Sequence, residues 1–365
     1  MTVTFTPKRI RCFFQIGKED FFDLQSYFME EKIDFVVTWL DSNDPLWKAD
    51  YAKYRNIKVE EDKARFRDWD FFKYWFRSIE KYASWVNKVF LVTNGKFPDW
   101  INPNHPKLVL VKHSDYMPLD ILPVFNSRTI ELYMHKIPGL SEHFVYFNDD
   151  CYLNVPVTPE YYFRDGLPCD DNTEMLSNRP QYHPLNPFNI RIIEYCDVAL
   201  INYHFKRKTV VKESPKRWFG KHLGIKGIIK NMFLYQQGRF EYFVRRHNEQ
   251  PFLKSIFEEA WEKEPKMLSK SCTRFRADVS LNPYFFRYWQ FATNKFYPVS
   301  FKSGRFYILK KTHLERIKAA FNNTQIKSLC LNDSPVMAEE EYDEVHAFVE
   351  NEFKKKFPDK SSFEI

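Results

Sequence analysis

Asn148-Asp149-Asp150 follows the apolar run Phe144-Val145-Tyr146-Phe147. Carboxylates at the end of a buried strand suit a hard divalent cation, which takes oxygen ligands and leaves positions open for phosphate. Aspartate pairs in turns also serve as caps, so the reading gains weight from a second acidic strand end, Asp41 and Asp44, placed after Ile33-Asp34-Phe35-Val36-Val37-Thr38-Trp39. His183 lies in Gln181-Tyr182-His183-Pro184-Leu185-Asn186-Pro187-Phe188, where flanking prolines stiffen the loop and can hold an imidazole for proton transfer. Arg274 and Arg276, with Asp278 close behind, offer planar guanidinium clamps for phosphate oxygens or, more plainly, a surface ion pair. Arg67-Asp68 and Leu331-Asn332-Asp333-Ser334 carry a similar ambiguity: they precede helical patterns, and capping by Asp68 or Ser334 is the default expectation.

The elements that must position these groups are legible as periodicity. Ile33–Trp39, Lys88–Val92, Leu108–Val111 and Phe144–Phe147 read as short buried strands. Between them, Phe72, Trp75, Phe76, Ile79 and Ala83 recur at helical steps, and a second helical stretch runs from Ser127 through Ile130 to Met134. This alternation implies an α/β fold with a mostly parallel sheet covered by helices on both faces, in which ligands gather outside the strand carboxyl ends. Val345, Phe348, Val349 and Phe353 mark one face of a closing helix that ends in Lys354-Lys355-Lys356. Residues 201–250 hold twelve Lys and Arg against three Glu, interleaved with Leu223, Ile225, Ile228, Ile229, Met232 and Phe233. That pattern reads as a basic helical insertion, either simply solvated or able to dock on anionic lipid or on a lipid-linked phosphorylated acceptor. The expected organisation is an N-terminal extension (1–32), an α/β catalytic core (33–200), the basic insertion (201–270) and a C-terminal part completing the core (271–365).

Composition removes several classes. In 365 residues only 9 are glycine, and no Gly-x-Gly-x-x-Gly or Gly-x-x-x-x-Gly-Lys loop exists, which excludes dinucleotide folds of the Rossmann kind and P-loop ATPases. The six cysteines, at 12, 151, 169, 196, 272 and 330, contain no Cys-x-x-Cys pair, so a reducing compartment is expected. With no run of eighteen apolar residues, the chain reads as soluble and cytoplasmic. No nucleic-acid recognition module accompanies the basic segment.

Taken in order, these segments resemble the Stealth family of sugar-phosphate transferases. The first similar block is Ile33 to Pro45. A longer one runs from Arg65-Phe66-Arg67-Asp68 through Leu91-Val92-Thr93-Asn94-Gly95 and Phe125-Asn126-Ser127-Arg128-Thr129-Ile130-Glu131 to Phe147-Asn148-Asp149-Asp150. The His183-Pro184 loop resembles the third block, and Cys330-Leu331-Asn332-Asp333-Ser334 with the closing Phe357–Glu364 segment resembles the fourth. Two departures stand out: Phe71-Phe72 replaces the family's usual Glu-Leu, and the family's arginine between the third and fourth blocks aligns with either Arg274 or Arg276.

The resemblance implies attack by an acceptor hydroxyl on the sugar-bound phosphorus of a nucleotide sugar, with release of nucleoside monophosphate. It further implies Mg²⁺ or Mn²⁺ held with the diphosphate by Asp149 and Asp150, together with Asp41, Asp44 or Asp333. His183 would be the base or a covalent nucleophile, and Arg274 or Arg276 would neutralise the transferred phosphate. Arg67, Asp68, Asn94, Asn126, Ser127, Glu131 and Asn332 would bind substrate. The implied partners are a nucleotide-sugar donor and a polysaccharide or lipid-linked oligosaccharide acceptor, with the basic segment at the inner membrane leaflet. The rival readings are a metal-dependent glycosyltransferase that releases nucleoside diphosphate and a polysaccharide-binding module.

Overall fold

A computed structural model describes residues 32–55, 67–175, 190–276, 280–300, 303–334 and 337–365, all but Lys32 within one unit, Ile33–Ile365. At its centre lies β1 (Ile33–Thr38), flanked by β2 (Val89–Thr93) and β3 (Leu108–Lys112) on one side and by β4 (His143–Asn148) on the other, all parallel. Phe35, Val36 and Val37 are wholly buried, because a parallel strand covered on both faces cannot alternate apolar with polar residues. Asp34 is the exception, and all its bonds are local to the far end of β1. One carboxylate oxygen accepts from Asn87 Nδ2 (2.6 Å) and the Lys88 amide (3.1 Å), the other from the Ser141 amide (2.8 Å). It joins strand ends and takes no part in a cleft.

The chain leaves β1 toward β2 and β3, then returns across to β4, so the strand order reverses between β1 and β4. In open α/β sheets a crevice forms at that reversal, beyond the carboxyl ends. Immediately past β4, the Asp149–Asp150 turn leads into β5 (Cys151–Leu153), which belongs to a different sheet. β6 (Gln250–Leu253) adds to the first sheet antiparallel to β4, as an edge strand where Pro251 is tolerated. The second sheet pairs β7 (Gly304–Ile308) in parallel with β8 (Ser328–Asn332), and β8 in turn runs antiparallel to β5 with Cys330 opposite Cys151.

Helix α1 (Pro45–Arg55) follows the first acidic loop, and α2 (Phe72–Tyr82) buries Phe72, Trp75, Phe76 and Ile79 as the periodicity requires. Short α3 (Ser127–Leu132) precedes β4, and α4 (Ile190–His204) and α5 (Gly224–Gln237) flank the most basic run, residues 206–221. α6 (Lys254–Lys263) buries one face, Ile256, Phe257 and Ala260, and α7 (Tyr284–Ala292) packs deep in the core. α8 (Leu314–Phe321) and α9 (Glu339–Lys356) cover the second sheet, with Phe353 of α9 stacked on Tyr74 of α2 at 4.8 Å.

Three expectations are corrected. Neither Asp68 nor Ser334 caps a helix: α2 starts only at Phe72 and α9 only at Glu339, too far along for either side chain to reach the first-turn amides. Asp68 Oδ1 instead accepts from the Asp70 amide (2.8 Å). The stretch 201–270 is helical where it is most basic, but it also supplies β6 and α6 to the core. Strand pairing with a partner as remote as Tyr146 leaves no mark on local charge.

Candidate functional site

At the reversal point a cavity of about 640 Å³ opens beyond β1 and β4. Thr38 and Trp39 come from the end of β1, Asn148 from the end of β4, and Asp149 and Asp150 from the turn between the sheets. Asn332 arrives at the same place through strand pairing: β8 aligns against β5, and the Leu331 amide donates to the Asp150 carbonyl (2.9 Å). Ser127, Arg128 and Glu131 are presented by α3, and Arg276 by the loop that follows residue 272. Arg245, Arg246, His247 and Asn248, which lead into β6, form the remaining wall.

Asp149 faces the water of the cleft, yet the protein around it, with the charges of Asp150 and Asp68, pushes its carboxyl up to about 7. Burial also raises Asp150, against the pull of His247. Among the described residues neither carboxylate forms an ion pair with Lys or Arg, while Asn148 and Asn332 add amide oxygens nearby. Two unneutralised carboxylates with neutral oxygen donors are the donor set of a hard cation, so Mg²⁺ or Mn²⁺ fits these residues. The thiols of Cys151 and Cys330 lie within 4.8 Å of the Asp150 carboxylate. A hydrogen bond with Cys151 favours the Cys330 thiolate, but burial and the neighbouring Asp150 together outweigh it and hold its thiol up at about 12. Burial raises Cys151 further, so a soft thiolate site is disfavoured.

Across the cavity the charge is positive. Arg276 Nη2 donates to Ser127 Oγ (3.3 Å), and its Nε is buried without an acceptor. Arg128 donates to Ser280 Oγ (3.3 Å); burial and the neighbouring Arg276 lower its affinity for its proton. Glu131 is raised by burial, with the Tyr146 hydrogen bond and both arginines pulling it back. The Tyr146 hydroxyl lies 3.0 Å from Glu131 Oε1, 2.8 Å from Asn148 Oδ1 and 3.2 Å from Thr38 Oγ1. That network ties the ends of β1 and β4 to α3.

Of the residues expected from sequence, Asp149, Asp150, Ser127, Glu131, Arg276 and Asn332 line this one cavity. Arg274 does not: its guanidinium donates to the carbonyls of Pro123 (3.0 Å), Leu122 (3.0 Å) and Asp120 (3.3 Å) and stacks over Tyr54. Asp333 pairs with Arg67 (3.3 Å). Asn126 is buried, its amide donating toward Thr129 and Thr273 as a brace for the 273–276 loop. Asp41 and Asp44 accept from the backbone amides of Asn43 (2.9 Å) and Leu46 (3.1 Å), and Asn94 from that of Lys96 (3.4 Å), so each shapes its own loop. Asp68 stays outside the lining but adds negative charge toward Asp149, and Asp41 adds it toward Asp68. His183 lies outside the described residues. The Arg245–Asn248 wall and Tyr146 were not anticipated; the only trace of the wall in the sequence is a basic-polar run just before the strand-like Pro251-Phe252-Leu253.

Residues 65–169, from the approach to α2 through the acidic turn, match the family model described as Stealth protein CR2, conserved region 2. The chain is 38% identical over 343 residues to a receptor polysaccharide phosphotransferase of Streptococcus oralis, covering 92% of this chain and 99% of that protein. It is 38% identical over 346 residues to a capsular polysaccharide phosphotransferase of Streptococcus pneumoniae, with 92% and 99% covered. An exopolysaccharide phosphotransferase of Lactiplantibacillus plantarum is 36% identical over 340 residues, with 91% and 96% covered.

Proposed function

The chain belongs to the Stealth family, and from that premise we propose that it moves a hexose-1-phosphate from a nucleotide sugar to a hydroxyl of a growing cell-surface polysaccharide. It is a phosphotransferase, as its relatives are. The donor in this reading is a UDP-hexose or UDP-N-acetylhexosamine, and the acceptor is a chain carried on lipid at the inner leaflet. A new bond forms between the acceptor oxygen and the sugar-bound phosphorus. The bond from that phosphorus to the bridging oxygen breaks, nucleoside monophosphate departs, and the anomeric bond stays intact.

The observation that carries this reading is a single cavity with unneutralised carboxylates on one side and an arginine without a carboxylate partner, among the described residues, on the other. A diphosphate needs both. Asp149 and Asp150, with Asn148 and Asn332, would hold Mg²⁺ or Mn²⁺, which when bound neutralises charge on the diphosphate. Arg276, anchored by Ser127, would offer its remaining donors to the transferred phosphoryl group, where negative charge shifts in the transition state. Glu131, held by Tyr146, is placed to accept from a donor hydroxyl. His183 takes the proton of the attacking hydroxyl.

The test is to incubate the protein with Mg²⁺, a panel of UDP-hexoses and an oligosaccharide acceptor, and to identify the released nucleotide. UMP with a phosphate-bearing product is expected, whereas UDP would make the protein a glycosyltransferase and remove the roles given to Arg276 and His183. Replacing His183 by Ala should abolish transfer with donor affinity nearly unchanged, and lost donor affinity would refute the assigned base.

A further inference from the structure

Helix α5 is apolar on the side that faces away from the protein. Leu234 and Asn231 are buried beneath it, while Ile225, Ile229, Met232 and Phe233 stand 79%, 62%, 58% and 60% exposed. Positions 225, 229, 232 and 233 are four, seven and eight residues along, so they share one stripe, opposite Leu234. Elsewhere among the described residues exposed large apolar side chains are dispersed along the chain, as Leu46 and Leu119 are. Four within nine residues of one helix form a patch that water disfavours.

Charge says what covers it. From Lys206 to Arg239 there are ten Lys and Arg and a single carboxylate, Glu213. Lys212, Lys216, Lys221 and Lys226 are exposed, and Lys226 lies three and seven residues from Ile229 and Phe233, on the border of the apolar stripe. A second copy of this chain would bring the same cations against each other. An anionic bilayer satisfies both features, since its headgroups meet lysine ammonium groups while the apolar side chains enter the acyl boundary. Gly238, in the left-handed region at φ 74°, ends the helix by donating its amide to the Tyr235 carbonyl. The patch is thereby confined to a few turns, a length suited to lying in an interface and too short to span one.

We propose that the exposed face of α5, with Ile225, Ile229, Met232 and Phe233 as the inserting side chains and the flanking lysines as headgroup contacts, is the surface by which this protein docks on anionic membrane. The proposal supplies a lipid-carried acceptor with a route to the enzyme, but vesicle binding requires neither donor, acceptor nor divalent cation. Its failure would therefore leave the proposed reaction intact, and failure of the reaction would leave the docking face intact.

The experiment is co-sedimentation of the full chain with phosphatidylcholine vesicles, with and without phosphatidylglycerol, at low and high salt. Wild type should bind the anionic vesicles, weakly at high salt and weakly to neutral lipid. The double variant Ile229→Glu/Phe233→Glu should lose about tenfold or more in affinity, and Lys221→Glu/Lys226→Glu a similar factor. Leu119→Glu, an exposed apolar position elsewhere, should bind as wild type does. Both pairs are exposed, and circular dichroism checks that the variants stay folded. The proposal is overturned by absent binding, by equal binding to neutral and anionic vesicles, or by equal binding of wild type and the Ile229/Phe233 variant. Sedimentation velocity that shows a wild-type dimer broken by the Ile229/Phe233 substitutions also overturns it, in favour of a face between copies.

Discussion

Two Asp-Asp pairs, at 149–150 and 170–171, have been given opposite electrostatic fates by the fold. Asp170 is fully buried: Arg287 donates to it from Nε (2.7 Å) and Nη2 (3.0 Å), Gln250 from Nε2 (2.9 Å), and Arg246 lies 3.1 Å away. Burial pushes its carboxyl up, but the charges of Arg287 and Arg246 outweigh that and hold it below the usual range. Asp149 and Asp150 sit past the carboxyl end of β4, in a different sheet from Asp170, with no arginine paired to them among the described residues, and both are held above that range. A pair neutralised from within stabilises the fold. A pair left unneutralised has charge to offer a ligand. Arg246 stands between the two, bound to Asp170 while also lining the cavity.

The contrast can be broken by experiment. The largest expected effect is from Asp170→Asn, which takes the carboxylate from the buried Arg287 and leaves Arg246 with Asp171, and should lower stability by about 3–5 kcal/mol in denaturant titration. A loss below about 1 kcal/mol would show that Arg287 finds its compensation elsewhere. Next, Asp150→Asn should leave the fold intact but cut turnover by roughly a hundred- to a thousandfold under saturating Mg²⁺. If it unfolds the protein as Asp170→Asn does, the two pairs are not different in kind. Arg276→Ala and Arg274→Ala sharpen the same distinction between groups that face inward and groups that brace. The first should lower kcat by about a hundredfold, whereas the second should cost about 1 kcal/mol of stability and little turnover.

The smallest effect is in pH dependence, where Asp170 and Asp149 have opposite signs. A carboxyl held low when folded, as Asp170 is, contributes stability above the ordinary carboxylate range that disappears in acid, as pH falls through its folded value. Asp149, held high, contributes in the other sense: the folded state keeps its proton longer, and that contribution is lost as pH rises toward about 7. Asp149→Asn should therefore gain on wild type between about pH 4 and 7, by about 1 kcal/mol or less because the cleft is wet. A melting-temperature difference that stays flat over that interval would remove Asp149 from the unneutralised pair.

Much of this was readable in the residues. The strands from Ile33, Val89, Leu108 and His143 are mainly apolar runs, Asp34 apart, and short runs of that kind alternating with helices point to a parallel sheet with both faces covered. The acids that follow the first and the last of them, and the blocks shared with the Stealth family, follow from local order along the chain. The sequence thus determined the sheet, the acidic turn at 149–150 and the family, because each depends on residues a few positions apart.

Tertiary structure decided what depends on distant partners. Arg274 and Arg276 are two residues apart and equivalent on paper. Only the packing of their loop against residues 120–129 sends one to the carbonyls of Leu122 and Pro123 and the other to Ser127 and the cavity. Asn332 and Asp333 are adjacent, yet the pairing of β8 with β5 brings the first beside Asp150 while Arg67 engages the second. The physical reason is the same in each case. Backbone periodicity fixes which side of an element a residue occupies, whereas the partner it meets there is chosen by long-range packing, to which adjacent residues contribute no local signal.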